Sequence, residues 1–122
     1  MAGTVVFTEI RLGSVKKIKC QWTSDASGNA EDTTAFSYSG QFMGLITVPG
    51  AAGDQPSDNY TLKISDSDGV DLLLAGATGN RSNATTEYIK TADMAGVASD
   101  KLTFTVSSAG NAKKGTAYLI LR

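Results

Sequence analysis

Histidine is absent from the 122 residues, and cysteine occurs once, as Cys20. Without histidine the chain lacks the commonest general base, the partner of a serine nucleophile and the usual neutral zinc ligand. A single thiol can form neither an intramolecular disulfide nor a thiolate cluster, and the apolar alternation around Cys20 predicts a core position for it. Long apolar runs are also missing. The longest are a few residues, far short of the roughly 20 that cross a bilayer. Met1 to Thr8 shows no basic segment leading into a long apolar run, so no secretory signal is expected. Nor does charge of one sign prevail: eleven Lys and Arg stand against twelve Asp and Glu, for a net charge of -1. Such a chain sets up no overall field to draw in nucleic acid or an anionic membrane, and neither is an expected partner.

What remains is apolar enough to fold. Hydrophobic residues make up 41% of the chain, too many for intrinsic disorder, and the length suits one modest core, so residues 1–122 are expected to form a single domain. The apolar positions recur mainly with period two, the signature of strands. Val5 and Phe7 alternate with Val6, Thr8 and Ile10. Ile18, Cys20 and Trp22 alternate with Lys17, Lys19 and Gln21, which predicts one buried and one basic, solvated face.

Thr23 to Thr34 is rich in Ser, Asp, Gly, Asn and Thr, holds no apolar residue larger than Ala, and reads as a long surface loop. Phe36 and Tyr38 then alternate with Ser37 and Ser39, Gly40 permits a bulge or bend, and Gln41 to Val48 reads as a strand. Both prolines fall in the loop from Pro49 to Asp58. Tyr60, Leu62 and Ile64, the Asp66-Ser67-Asp68-Gly69 turn and Val70 to Leu74 together predict a hairpin. Thr85 to Lys90 offers a short strand, and Thr91 to Ser99 is ambiguous between loop and one helical turn. Leu102, Phe104 and Val106 mark the penultimate strand. In the last, Thr116 to Leu121, Tyr118 and Ile120 share one face while Ala117, Leu119 and Leu121 share the other. A strand apolar on both faces is expected to be central in its sheet or covered by a partner chain, so Ala117, Leu119 and Leu121 are the candidate interaction residues. About eight short strands without βαβ alternation predict an all-β fold, a single antiparallel β-sandwich or jelly roll.

Each candidate for chemistry has a plainer reading beside it. Asp25, Glu31, Asp32 and Asp54 could supply a glycosidase carboxylate pair, but loop acids are more often simply solvated. Asp66, Asp68 and Asp71 around Gly69 resemble part of a calcium loop, yet no bidentate Glu stands at the EF-hand spacing and Asp-Gly is an ordinary hairpin turn. Gly76 to Arg81 is glycine-rich but lacks the lysine and the strand-to-helix setting of a phosphate loop. Trp22, Tyr38, Tyr60, Tyr88 and Tyr118 could build a sugar-stacking platform; in alternating strands such residues more often fill a core. No catalytic constellation, cofactor or metal is therefore expected.

Asp58-Asn59-Tyr60-Thr61-Leu62, the turn from Asp66 to Asp71, Gly79-Asn80-Arg81 and the closing Ala109-Gly110-Asn111-Ala112-Lys113-Lys114-Gly115-Thr116 form a set of turn and strand patterns. From Asp58 onward the chain resembles small virion structural proteins of tailed bacteriophages. The resemblance implies a capsid decoration protein that cements the major capsid protein, or else a neck or collar protein. It implies a homo-oligomer, made in the bacterial host cytoplasm and resident in the virion. It transfers no site residue. A carbohydrate-binding adhesin module of the tail is the competing expectation.

Overall fold

The computed structural model describes residues 3–12, 15–51, 53–66, 69, 79, 81, 85–90, 97–98 and 100–122. They form nine strands: β1 (Thr4–Leu12), β2 (Val15–Thr23), β3 (Ala30–Ser37), β4 (Gly40–Pro49), β5 (Thr61–Ser65), β6 (Glu87–Lys90), β7 (Val97–Ala98), β8 (Lys101–Ser107) and β9 (Lys114–Leu121). No helix occurs among the described residues, and the strands form two antiparallel sheets in a sandwich-like, all-β arrangement. The larger sheet runs β1-β2-β9-β4-β6 with β7 also on β4; the smaller runs β3-β8-β5.

The period-two pattern explains the core directly. Ile18, Cys20 and Trp22 of β2 and Ala117, Leu119 and Leu121 of β9 point inward from the large sheet. They meet Leu62 and Ile64 of β5 and Leu102, Phe104 and Val106 of β8 from the small one, all buried. Each of the Val, Leu, Ile and Phe side chains contributes about 2 kcal/mol of burial. In β4 the buried residues Phe42 and Leu45 are three apart, which a regular strand would place on opposite faces. A register shift between Phe42 and Gly44, opposite Leu121 and Ile120 of β9, inserts the extra residue that turns both inward. The bulge thus falls beyond Gly40. Gly40 meets a different need: a Cβ there would lie 2.8 Å from the Arg122 carbonyl oxygen, and its φ is 142°.

Two sequence expectations change, and a third falls largely outside the described residues. The long loop expected from Thr23 to Thr34 shrinks to residues 24–29, because β2 runs to Thr23 and β3 begins at Ala30. That turn is pinned: the Asp25 carboxylate accepts the Ser27 and Asn29 N–H groups at 2.8 and 3.0 Å. β3 carries polar residues because it is an edge strand, and its buried Thr34 accepts the Leu102 N–H and donates to the Phe36 carbonyl. Second, Tyr38 lies beyond the end of β3, yet it is buried. Third, β5 pairs with β8; Val70 to Leu74, the expected return strand of its hairpin, lies outside the described residues. So does most of Thr91 to Ser99, of which 97–98 form β7.

Ionisable side chains fasten both open sides of the sandwich. Between β1 and β3, Glu9 accepts the Tyr38 hydroxyl at 2.6 Å and the Ala35 and Phe36 N–H groups at 3.4 Å each. Between β5 and β6, the Arg81 backbone pairs with Tyr60. Its buried guanidinium crosses to the large sheet, donating to the Thr47 hydroxyl at 3.4 Å and facing Glu87 at 3.7 Å. Arg81→Ala should lower the unfolding free energy by about 2 kcal/mol, read by urea titration, since it frees a half-buried carboxylate from its cation. An unchanged midpoint would show that the guanidinium clamps nothing.

Candidate functional site

The three residues expected at an assembly contact lie in the chain's own core: Ala117, Leu119 and Leu121 are at most 1% exposed. β9 is apolar on both faces because it is central, between β2 and β4, with the small sheet covering its inner side. Among the described residues, the outer face of the large sheet is open to other molecules.

The register builds that face row by row. Thr8 of β1 stands opposite Lys19 of β2, Lys19 opposite Tyr118 of β9, Tyr118 opposite Ile46 of β4, and Ile46 opposite Tyr88 of β6. One row joins Val6, Gln21, Thr116 and Val48; another joins Ile10, Lys17, Ile120 and Gly44. Tyr88 is 72% exposed and Val6 60%, while Ile46, Val48, Tyr118 and Ile120 are half-buried. Neighbouring strands lie about 4.8 Å apart, so the five strands give a face about 19 Å across. The Lys17 ammonium sits 5.0 Å from the Tyr118 ring centre, a cation–π contact on the surface itself. No outer position of β1, β2, β9 or β4 holds Asp or Glu. The face is therefore apolar and cationic.

The other candidates disperse. Asp25 and Glu31 line one open groove of about 400 Å³, while Asp54 lines another of about 390 Å³ beside Thr4, Gln21 and Lys114. Glu31 and Asp32 lie on β3, not in a loop. Backbone N–H donors, Asn29 foremost, hold the Asp25 carboxyl below its ordinary range. A group so held stays ionised and is poorly suited to donate a proton to a leaving group. No cluster of three Cys, Asp or Glu residues fit to hold a metal occurs among the described residues. Of the calcium-like turn, Asp66 and Gly69 are described and make a turn bond, Gly69 N–H to the Asp66 carbonyl at 3.0 Å; Asp68 and Asp71 lie outside the described residues.

The aromatic set divides. Trp22, Tyr38 and Tyr60 are core residues, with the Trp22 and Tyr60 rings 5.4 Å apart and tilted, and only Tyr88 and Tyr118 reach the outer face. Burial, opposed by the nearby Arg81 cation, pushes the Tyr60 hydroxyl up to about 12. Burial also pushes up the Cys20 thiol, with Glu9 adding to it, so the group is an inert core thiol. Arg81, in the glycine-rich stretch read as a loop, acts as the clamp described above.

No family model, curated protein or solved structure matches this chain. No helix among the described residues is long and apolar enough to cross a membrane.

Proposed function

We propose that this chain is a structural binding subunit that docks onto a protein surface of a larger assembly through the outer face of its large sheet. The observation that carries this reading is the face itself: apolar residues from four strands, the lysines Lys17, Lys19 and Lys114, and no carboxylate at the outer positions of β1, β2, β9 or β4. Surfaces of that composition mark contact sites, because exposed Tyr, Val and Ile lose unfavourable hydration when covered. The sequence resemblance supplies the assembly. It is the virion of a tailed bacteriophage, with the chain as a capsid decoration protein on the major capsid protein, or in the neck or collar.

The test uses virions purified from a host that produces the chain. Mass spectrometry should find the chain in many copies per particle, and Tyr88→Asp should cut its incorporation about thirtyfold, the effect of losing one aromatic contact worth about 2 kcal/mol. Tyr88 is 72% exposed, so this variant should fold normally. Full incorporation of Tyr88→Asp would sink the docking role of this face, and absence of the chain from particles would sink the virion assignment. The adhesin reading retains only Tyr88 and Tyr118, and Lys17 already occupies the Tyr118 ring. A glycan array on which Tyr88→Ser abolishes binding would favour it instead.

A further inference from the structure

The docking face holds cations that no described carboxylate neutralises. Lys17 and Lys19 stand two residues apart on β2, about 7 Å along the strand, and Lys114 opens β9 in the row of Thr4 and Thr23. Lys17 and Lys114 are exposed and Lys19 is half-buried. Among the described residues the ion pair is that of Arg81 with Glu87 at the seam between the sheets, and none reaches these three lysines. Lys17 rests on the Tyr118 ring, which holds its ammonium over the face without cancelling the charge. Asp54 lines the groove beside Lys114, but the two are joined through the backbone, the Lys114 N–H donating to the Asp54 carbonyl at 2.9 Å.

Covering this face, as the docking reading requires, takes ammonium groups out of water, which is unfavourable unless an anion meets them. A second copy stacked face to face supplies none. Whichever way it is turned, the outer positions of its β1, β2, β9 and β4 bring no carboxylate to the contact. Phosphate-rich surfaces, nucleic acid or an anionic membrane, reward a basic chain, and this one is at -1 overall. A protein surface meets both demands, with carboxylates over β2 and apolar side chains over β9, β4 and β6.

From this charge complementarity we propose that the occupant of the docking face is an acidic patch on a different protein, which places Asp or Glu carboxylates on Lys17 and Lys19 and apolar side chains on Ile46 and Tyr88. The inference rests on the docking role of the face argued above and adds the chemistry of its partner. The lysines also set direction. Lys19 and Tyr88 are three strands apart in one row, about 14 Å, so the paired charges fix which way round the partner sits across the strands. Pairs formed at so open a face are screened by salt, and association should weaken as salt rises.

The experiment is carbodiimide cross-linking in an extract of host cells that produce the chain, since this reagent joins an ammonium to a carboxylate in direct contact with it. Mass spectrometry should find Lys17 or Lys19 linked to Asp or Glu of another protein. Without the reagent, the wild type should sediment with that protein at low salt and be released at high salt. Lys17→Gln with Lys19→Gln should fold as the wild type does, judged by circular dichroism. It should associate about tenfold more weakly, the loss of one close charge pair, and should lose most of the salt dependence. Lys17→Arg with Lys19→Arg keeps both charges and should associate as the wild type does. A glutamine variant that associates like the wild type would overturn the proposal, as would links from these lysines only to a second copy of this chain. Binding of the purified chain to anionic phospholipid vesicles, lost in the glutamine variant and with no protein link in the extract, would put a membrane in the partner's place. If the glutamine variant associates normally while Tyr88→Asp still blocks incorporation into particles, the face docks through apolar contact and only the acidic partner falls. If Tyr88→Asp is incorporated normally, the docking reading itself fails, and this inference with it.

Discussion

Leu119→Asp should leave no folded protein at neutral pH. Leu119 is 1% exposed, inside the sandwich and on its central strand. The substitution removes a buried isobutyl group, a loss of about 2–5 kcal/mol, and puts a carboxylate in its place with no cation to meet it. Together these equal or exceed the roughly 5–15 kcal/mol of net stability available to a domain of this size. Circular dichroism should show a disordered chain, and no urea transition should be measurable. The neighbouring outer position sets the contrast. Thr116→Asp places the same charge on the same strand facing outward, and should leave the fold and a cooperative transition intact. A folded Leu119→Asp protein would mean that β9 is not covered from within. Because the expected defect is in folding, this variant says nothing about assembly, and that question belongs to Tyr88, Lys17 and Lys19.

The different fates of Leu119 and Tyr88 show which information the linear pattern carries. Alternation in β2, β5, β8 and β9 is legible because each strand has one face that must be buried, and the rule needs no partner strand. Ala117, Leu119 and Leu121 were correctly recognisable as needing cover. The alternation of β9 does not say that the cover is the chain's own small sheet, since that depends on which strands flank it. β3 is invisible to the same rule, because an edge strand at a corner of the sandwich needs few apolar residues and Thr34 takes an inward position through hydrogen bonds. Glu9 and Arg81 go unmarked in the linear pattern for a similar reason. Apart from Glu87, six residues from Arg81, their partners lie 26 to 34 residues away, at Ala35, Phe36, Tyr38 and Thr47, and nothing local marks a charge that will close a seam.

The candidate face was legible only in fragments. Lys17 and Lys19 are recognisable as solvated, and Tyr118 and Ile120 as sharing a side. Val6, Ile46, Val48 and Tyr88 come from three other strands, and they form one surface only once the order β1-β2-β9-β4-β6 and its registers are known. A one-residue slip of any strand would turn its contribution inward. The bulge after Phe42 is such a case, since without it Leu45 and Thr47 would exchange faces with Ile46 and Val48.

Trp22→Ala should have the second-largest effect, a loss of about 3–5 kcal/mol, because Trp22 is the largest fully buried side chain and packs against Tyr60. What makes this site diagnostic is Gly115, directly opposite on β9. A Cβ at Gly115 would lie 2.4 Å from the Trp22 ring, closer than such contacts allow, so Gly115 is where β9 makes room for the indole. Gly115→Ala alone should therefore cost about 1–3 kcal/mol through overpacking. In the Trp22→Ala background the space is vacant, and the same added methyl should cost nothing or restore a few tenths of the loss. The double-mutant cycle should then show a coupling of about 1–3 kcal/mol in urea denaturation. Trp22→Phe separates size from polarity. The indole N–H has no hydrogen-bond partner among the described residues, so phenylalanine removes a buried unpaired donor along with some volume, and it should cost well under half of the alanine loss. Strict additivity of Trp22→Ala and Gly115→Ala would mean that the ring does not lie over Gly115. That would unseat the register of β2 on β9, and with it the row that brings Lys19 beside Tyr118.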